Sequence, residues 1–259
     1  MSAIMELSDK HLVITGAAQG IGAAVARMVA AEVGSLVLLD YDPVSLAETA
    51  EACRAAGAEV HSCVIDVADR KAVRETLGGL CRQIGRIDGL INNAGVADEN
   101  EPDDDAIWDR VIGINLNGTY NTTLAVLPYL AEGGRVVNVA SVLGRAGKIR
   151  NTAYCSSKHG ILGFTKSLAL DLAARKITVN AILPAWVDTP MLHRELARQA
   201  SLIGVETSQL LRNARRNIPL RRLVDADETA ALIRFLLSDA AKAITAQSIT
   251  IDAGFMCGV

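Results

Sequence analysis

The chain has 259 residues, of which 50% are hydrophobic and 21% charged, a composition typical of a globular enzyme. Its formal net charge is -3 and its basic residues form no long run, so we expect neither nucleic acid nor a membrane surface as a partner. No stretch approaches the roughly 20 apolar residues of a membrane span, and the N-terminal segment does not resemble a secretion signal. The 5 cysteines form no C-x-x-C pair, which argues against a metal site or disulfides and favours a cytoplasmic location.

Short apolar runs alternate with helical patterns along the chain. In chain order we expect strand 11–15, helix 20–33, strand 35–40, helix 43–56, strand 58–65, helix 69–84, strand 88–92, helix 104–130, strand 135–141, helix 151–174, strand 177–183, helix 225–238 and strand 248–252. Strands that are apolar throughout and separated by helices predict a parallel sheet with helices on both faces. We therefore expect one doubly wound (Rossmann) α/β domain of about seven strands over 1–259.

The segment 186–219 interrupts this alternation. It follows a proline-containing turn and combines scattered charge with helix-like patches. We interpret it as a substrate lid beside the site, and an ordinary surface helical hairpin is an equally good interpretation.

A glycine-rich turn, TGAAQGIG, follows the first strand and includes Gly16, Gly20 and Gly22. Such glycines let the backbone turn tightly and approach a pyrophosphate at a helix N-terminus, where unpaired N–H groups favour an anion. A turn that merely packs the helix on the strand is the alternative. Its position directly after the first strand favours nucleotide binding.

Asp40 ends the second strand, where an acidic side chain can bind the adenosine ribose hydroxyls. A carboxylate there would repel a 2′-phosphate, and no lysine or arginine occupies positions 17–19 or 41 to receive one. We therefore expect NAD rather than NADP, with a helix-capping aspartate as the alternative. Asp66 ends the third strand and could meet the adenine edge, or could simply cap the next turn.

Further segments extend this pattern: NNAG at 92–95, AYCSSKHGILGFTKSLALDL at 153–172, LPAWVDTPM at 183–191 and ITAQSITIDAGF at 244–255. Together with the glycine turn they resemble the short-chain dehydrogenase/reductase family over nearly the whole chain. The resemblance implies a catalytic tetrad of Asn115, Ser141, Tyr154 and Lys158. It also implies that the dinucleotide contacts Gln19, Ile21, Val67, Asn93, Ala94, Gly95, Tyr154, Lys158, Pro184, Val187 and Thr189.

The tetrad residues make chemical sense on their own. Tyr154 and Lys158 are four apart on an expected helix, so their side chains share one face. A nearby ammonium would lower the phenol pKa from its usual value of ~10 and make the phenol a proton donor and acceptor. Ser141 ends the fifth strand and can donate to an oxygen that gains negative charge. Asn115 lies in a poor helical context, INLNGT, and in the resembling family it sits at a helix bulge and holds a water.

The substrate pocket is expected to be largely apolar and to suit a cyclic, aromatic or medium-length molecule. Its candidate lining residues are Ser141, Leu143, Ile149, Ala185, Trp186, Met191 and Leu192. Ala185 stands where the family usually has glycine, so the turn against nicotinamide is expected to differ in shape. Arg145, Lys148 and Arg150 lie in the loop before Tyr154 and could meet an anionic substrate, although surface charge is the default interpretation.

These observations favour an NAD-dependent oxidoreductase that transfers a hydride between nicotinamide and a secondary alcohol or ketone. The main alternative is a 3-oxoacyl thioester or polyketide ketoreductase that uses NADPH. A catalytically silent NAD-binding regulator is the remote alternative, since all four tetrad residues are present. The resemblance also implies a homotetramer, or else a dimer.

Overall fold

The computed structural model describes residues 7–257. The strands are β1 (His11–Thr15), β2 (Ser35–Asp40), β3 (Glu59–Val64), β4 (Ile87–Asn92), β5 (Leu130–Val139), β6 (Thr178–Pro184), β7 (Val187–Asp188), β8 (Val224–Asp225) and β9 (Ser248–Ile251). The helices are α1 (Gly20–Val29), α2 (Pro43–Ala55), α3 (Arg70–Ala72), α4 (Gly78–Ile84), α5 (Asp105–Ile112), α6 (Gly118–Val126), α7 (Thr152–Asp171), α8 (Pro190–Ile203), α9 (Thr207–Asn217) and α10 (Ala226–Leu237).

The described residues form a seven-stranded sheet in the order β3-β2-β1-β4-β5-β6-β9. Its pairings are parallel, and Val13 of β1 lies between Val37 of β2 and Leu90 of β4. The direction of winding reverses between β1 and β4, which opens a crevice at the carboxyl ends of the strands. The expected doubly wound α/β fold is therefore confirmed.

Two apolar layers cover the faces of the sheet. Leu12 and Ile14 of β1 belong to the layer shared with α1, α2 and α10, whereas Val13 belongs to the opposite layer. This division follows from the two-residue repeat of a strand, which sends successive side chains to opposite faces. The helices expected on both faces are thus present, and the carboxyl edge of the sheet is left for a site.

Two expected helices differ in detail from the structure. Those at 69–84 and 104–130 each contain a π-helical turn, Val73–Leu77 and Gly113–Asn117. The second also ends earlier, because Leu130 begins strand β5 and pairs with Ile87 of β4. The apolar residues near 130 fit a helix and a strand equally well by pattern, and pairing with β4 decides between them.

The segment between β6 and α10 forms two helices beside the carboxyl edge. Thr189 caps α8 by accepting a 3.4 Å hydrogen bond from the Leu192 amide, and Gly204 ends it in a left-handed conformation. An apolar cluster that includes Leu196 and Leu223 packs the segment together. Across residues 7–257, no helix combines the length and apolarity needed to cross a membrane.

Candidate active site

A cavity of about 760 Å³ runs along the carboxyl edge, within the usual size range of small-molecule sites. It extends from the glycine turn, past β4 and β5, to the segment before α8. The expected site residues that line it are Gly16, Gln19, Gly20, Ile21, Asp40, Asp66, Val67, Asn93, Ala94, Gly95, Ser141, Leu143, Tyr154, Lys158, Pro184, Ala185, Trp186, Val187, Thr189, Met191 and Leu192. The fold therefore brings together residues from segments far apart in the chain.

The glycine turn is shaped so that side chains do not fit. Gly16 has φ +65, and a Cβ atom on Gly22 would lie 2.1 Å from the Gly16 carbonyl oxygen. The Asn93 side chain fastens the turn to β4 by donating 3.0 Å hydrogen bonds to the carbonyls of Thr15 and Gly16. Gly22 packs the helix against the turn and does not line the cavity, unlike Gly16 and Gly20. The bare backbone cradle at the start of α1 fits a dinucleotide pyrophosphate.

Asp40 lies at the far end of this cradle. Its carboxylate accepts a 2.9 Å hydrogen bond from the Ala18 amide and a 2.8 Å bond from the Tyr41 amide. These bonds fix the carboxylate beside the glycine turn. Asp40 itself forms part of the cavity wall there. Asp66 accepts from the Ala68 amide at 2.9 Å, so it caps its turn while also lining the cavity.

Asn115 lies inside the π-helical turn Gly113–Asn117 and is fully buried. Its amide oxygen accepts from the Val96 amide at 2.8 Å, and its nitrogen donates to the Val96 carbonyl at 3.0 Å. The same nitrogen donates to the Ser157 hydroxyl at 3.1 Å. A Cβ atom on Gly95 would lie 3.1 Å from the Asn115 oxygen and 3.6 Å from Lys158 Nζ. Asn115 and Lys158 thus both lie next to Gly95.

Tyr154 and Lys158 share one face of α7, and Lys158 Nζ lies 5.5 Å from the centre of the Tyr154 ring. Lys158 is buried and donates a 2.9 Å hydrogen bond to the Val139 carbonyl of β5. Ser141 follows β5, where its hydroxyl accepts from the Leu143 amide at 3.2 Å. These three side chains surround one end of the cavity.

Burial shifts the pKa values of Tyr154 and Lys158 in opposite directions. It raises the pKa of Tyr154 to about 12, although the hydrogen bond with Ser141 acts in the opposite direction. Burial also lowers the pKa of Lys158 to about 8. Removal of the phenolate from water therefore outweighs the lowering of the tyrosine pKa that a neighbouring ammonium is expected to cause.

One expectation about the substrate pocket is wrong, and the turn that follows β6 shows where its backbone is strained. Ile149 is 85% exposed and lies outside the cavity lining, because its loop turns outward before α7. The strained residue of the nicotinamide-side turn is Trp186, with φ +49, and not Ala185. Ala185 instead is buried and its amide donates to the Ile251 carbonyl at 3.2 Å. The left-handed conformation in this turn is therefore taken by Trp186, directly after the alanine, and the expected effect of Ala185 on the shape of the turn stays a prediction.

Sequence reasoning missed part of the cavity wall. The lining also includes Val96, Arg110, Ile114, Glu195, Phe255 and Met256. Of the three basic loop residues considered for an anionic substrate, only Lys148 is in this lining. Phe255 meets Trp186 edge to face at 5.9 Å, so the C-terminal segment closes one side of the pocket. The three-to-four-residue spacing of Met191, Leu192 and Glu195 on one helix is the signal that could have placed Glu195 here. Among residues 7–257, no cluster of three His, Cys, Asp or Glu is arranged to hold a metal ion.

Known proteins resemble this chain in sequence over nearly its whole length. Residues 16–256 match the family model described as enoyl-(acyl carrier protein) reductase. The chain is 36% identical over 262 residues to the 3-oxoacyl-(acyl-carrier-protein) reductase FabG of Thermotoga maritima, covering 97% of this chain and 100% of that protein.

Solved structures are similar over nearly their whole length. Carveol dehydrogenase from Mycobacterium avium in complex with NAD has a TM-score of 0.91 and 28% identity, covering 97% of this chain and 99% of that one. A variant of actinorhodin polyketide ketoreductase with NADPH has a TM-score of 0.88 and 30% identity, covering 95% of this chain and 97% of that one. The likeness therefore includes both the sheet and the edge that carries the cavity.

Proposed function

The chain belongs to the short-chain dehydrogenase/reductase family, and from that premise we propose that it exchanges a hydride between NAD and a secondary alcohol or ketone, with Tyr154 as the acid and base. Membership makes it an oxidoreductase that acts on CH–OH groups with a nicotinamide cofactor. The choice of NAD, the substrate and the residue roles are the proposal. The main support for the proposal is one cavity. Tyr154, Ser141 and Lys158 line one end of it, and the glycine turn lines the other end.

Each tetrad residue has a role that follows from its position. Ser141 and Tyr154 would hydrogen-bond the substrate oxygen, and Tyr154 would give or take its proton. Lys158 would hold the nicotinamide ribose through its ammonium. Asn115 would anchor a water that continues the proton path from Lys158. When bound, the nicotinamide supplies the hydride or accepts it.

The preference for NAD is supported by Asp40. Its carboxylate is fixed beside the cradle by the Ala18 amide, where the 2′-phosphate of NADP would meet a like charge. The dinucleotide would also contact Gly16, Gln19, Gly20, Ile21, Gly22, Asp66, Val67, Asn93, Ala94, Gly95, Tyr154, Lys158, Pro184, Val187 and Thr189. Of these, all except Gly22 line the cavity, and Gly22 would act by shaping the turn.

A second candidate function is the reduction of 3-oxoacyl thioesters or polyketides with NADPH. The 36% identity to FabG favours it. Asp40 argues against it, because the carboxylate would disfavour NADPH.

We further propose that the segment 186–219 acts as a lid, because Trp186, Met191 and Leu192 line the cavity.

We also propose that the protein assembles as a homotetramer. This assembly is supported by exposed apolar side chains on α5 to α7, namely Trp108, Tyr120, Leu124 and Leu170. Light scattering that shows a monomer at working concentration would contradict the assembly. A cytoplasmic location is proposed on the free state of the cysteines.

The proposed function is tested by a substrate screen that follows NADH absorbance in both directions over a panel of secondary alcohols and ketones. We expect turnover with NAD or NADH. Tight NADH binding without turnover across the panel would instead indicate a silent cofactor-binding module. Turnover of 3-oxoacyl thioesters with a preference for NADPH would establish the second candidate.

A further inference from the structure

An ion pair faces the cavity at the substrate end. Lys148, in the loop after β5, donates a 2.9 Å hydrogen bond to Glu195 of α8, and both line the cavity that contains Tyr154. The surrounding wall is apolar and is formed by residues such as Leu143, Trp186 and Met256. This charged pair offers hydrogen-bonding partners to a substrate away from its reacting oxygen.

The Glu195 carboxylate is held in place by more than Lys148. Gln199, one turn further along α8, donates to Glu195 at 3.1 Å and to Glu99 at 2.9 Å. Glu99 also lies 3.8 Å from the Lys148 ammonium and 3.1 Å from Arg198. The network therefore joins the loop after β4, the loop after β5 and helix α8.

This arrangement leaves Lys148 poorly suited to bind an anion. Its ammonium already faces two carboxylates, those of Glu195 and Glu99. Arg198 balances the charge of Glu99 but is absent from the cavity wall. Consistent with this arrangement, burial and then the charge of Glu195 raise the pKa of Tyr154. The negative charge of Glu195 therefore acts on Tyr154 at the reacting end of the cavity.

We propose that Lys148 and Glu195 determine specificity by selecting an uncharged ketone or secondary alcohol, apolar around the reacting carbon, whose far end carries a hydroxyl or second carbonyl. A substrate hydroxyl would donate to Glu195, and a carbonyl would accept from Lys148. A substrate carboxylate near Glu195 would find Lys148 already paired with Glu195, and Arg110, which also lines the cavity, already paired with Asp98. This inference rests on the proposed function and adds the class of substrate to it.

The test uses two matched pairs of ketones with NADH and the full-length protein. One pair is 4-oxocyclohexanecarboxylate and its methyl ester, which differ in charge. The other is 4-hydroxycyclohexanone and 4-methylcyclohexanone, which differ in hydrogen bonding. We expect kcat/KM to favour the ester over the carboxylate by at least about tenfold, because like charges in a partly buried site repel strongly. We expect the hydroxyl compound to be favoured over the methyl compound about fivefold.

Two variants of Glu195 connect these preferences to the proposed residues. Glu195→Gln should shrink the ester-to-carboxylate ratio by roughly tenfold, because it removes the charge and keeps the shape. Glu195→Leu should reduce the preference for the hydroxyl compound, because the acceptor for the substrate hydroxyl is lost. The control is Glu132→Gln, which breaks a comparable 2.6 Å ion pair with Lys176 on the exposed surface and should leave both ratios unchanged.

The dissociation constant for NADH, measured by nicotinamide fluorescence, should stay at the wild-type value in every variant and so verifies folding. Wild-type protein that uses the carboxylate as well as the ester would overturn this inference and leave the proposed function standing. An ester-to-carboxylate ratio unchanged in Glu195→Gln would overturn it as well. Failure to turn over any ketone in the broader screen would overturn the proposed function, and this inference with it.

Discussion

Lys158 Nζ lies 5.5 Å from the centre of the Tyr154 ring and donates a 2.9 Å hydrogen bond to the Val139 carbonyl. The ammonium is therefore fastened to strand β5, while the phenol is directed into the cavity beside Ser141. Lys158 thus contacts the backbone of the sheet, whereas Tyr154 lines the cavity next to Ser141. This arrangement supports the proposal that the phenol is the group that meets a substrate oxygen.

Replacing Tyr154 with phenylalanine should lower kcat by about 100- to 10,000-fold, because the proton donor and acceptor is lost. NADH affinity should change little, since the ring is kept. Steady-state kinetics and fluorescence titration measure the two quantities. The matched control is Tyr129→Phe, whose hydroxyl accepts from Arg82 away from the cavity. Near wild-type turnover in Tyr154→Phe would remove the tyrosine from the mechanism.

Burial of Lys158 should make the stability of the cofactor-free protein depend on pH. Folding lowers the pKa of this ammonium from 10.5 to about 8, so between these values the unfolded chain binds more protons. The free energy of unfolding should therefore rise as the pH increases through this window, by up to about 3 kcal/mol. Tyr154 acts in the opposite direction above pH 10, because its pKa is raised from 10.0 to about 12 and the folded state keeps its proton longer.

This pH effect is measured by thermal or denaturant unfolding at pH 8 and pH 10. The wild type should gain stability relative to Lys158→Met, in which the titrating group is gone. Lys166→Met is the control, because Lys166 is an exposed lysine of the same helix and its removal should leave the wild-type pH dependence in place. Identical pH dependence in the wild type and Lys158→Met would contradict the prediction.

Removing the Asp40 carboxylate should shift the cofactor preference. We expect the wild type to bind NADH more tightly than NADPH, and Asp40→Ala to reduce that ratio by at least about tenfold, because the like charge near the 2′-phosphate is removed. Titrating each protein with NADH and with NADPH measures this ratio of affinities. Asp171→Ala, at the exposed end of α7, should behave as the wild type does. A wild-type preference for NADPH would refute the role of Asp40.

Adding a methyl group at Gly22 should damage the cofactor cradle. The new Cβ atom would lie 2.1 Å from the Gly16 carbonyl oxygen, which is backbone and cannot move aside without opening the turn. We expect Gly22→Ala to weaken NADH binding at least tenfold and to lower the melting temperature. Gly79→Ala is the matched helical control, because its Cβ meets open space and alanine favours the helix by up to about 1 kcal/mol. Equal NADH affinity in the two variants would show that the turn tolerates a side chain.

Much of the fold follows from local pattern. The alternation of apolar strands and helices predicts the parallel sheet, and bounds such as His11–Thr15 and Ser35–Asp40 agree with the structure. The errors lie where pattern is ambiguous, as at Leu130, which begins β5 because it can pair with Ile87. Local sequence does not contain that pairing, since the partners lie far apart along the chain.

Within the candidate site, sequence alone determined the kinds of residue: the glycine turn, Asp40 and the tyrosine–lysine pair on one helical face. These depend on spacing over a few residues, which fixes geometry within one turn or one helix. The tertiary structure decided that Ile149 lies outside the cavity and that Lys148 meets Glu195 47 residues away. It also decided that the Tyr154 pKa is raised, because burial depends on everything packed around the phenol and not on the neighbouring lysine alone.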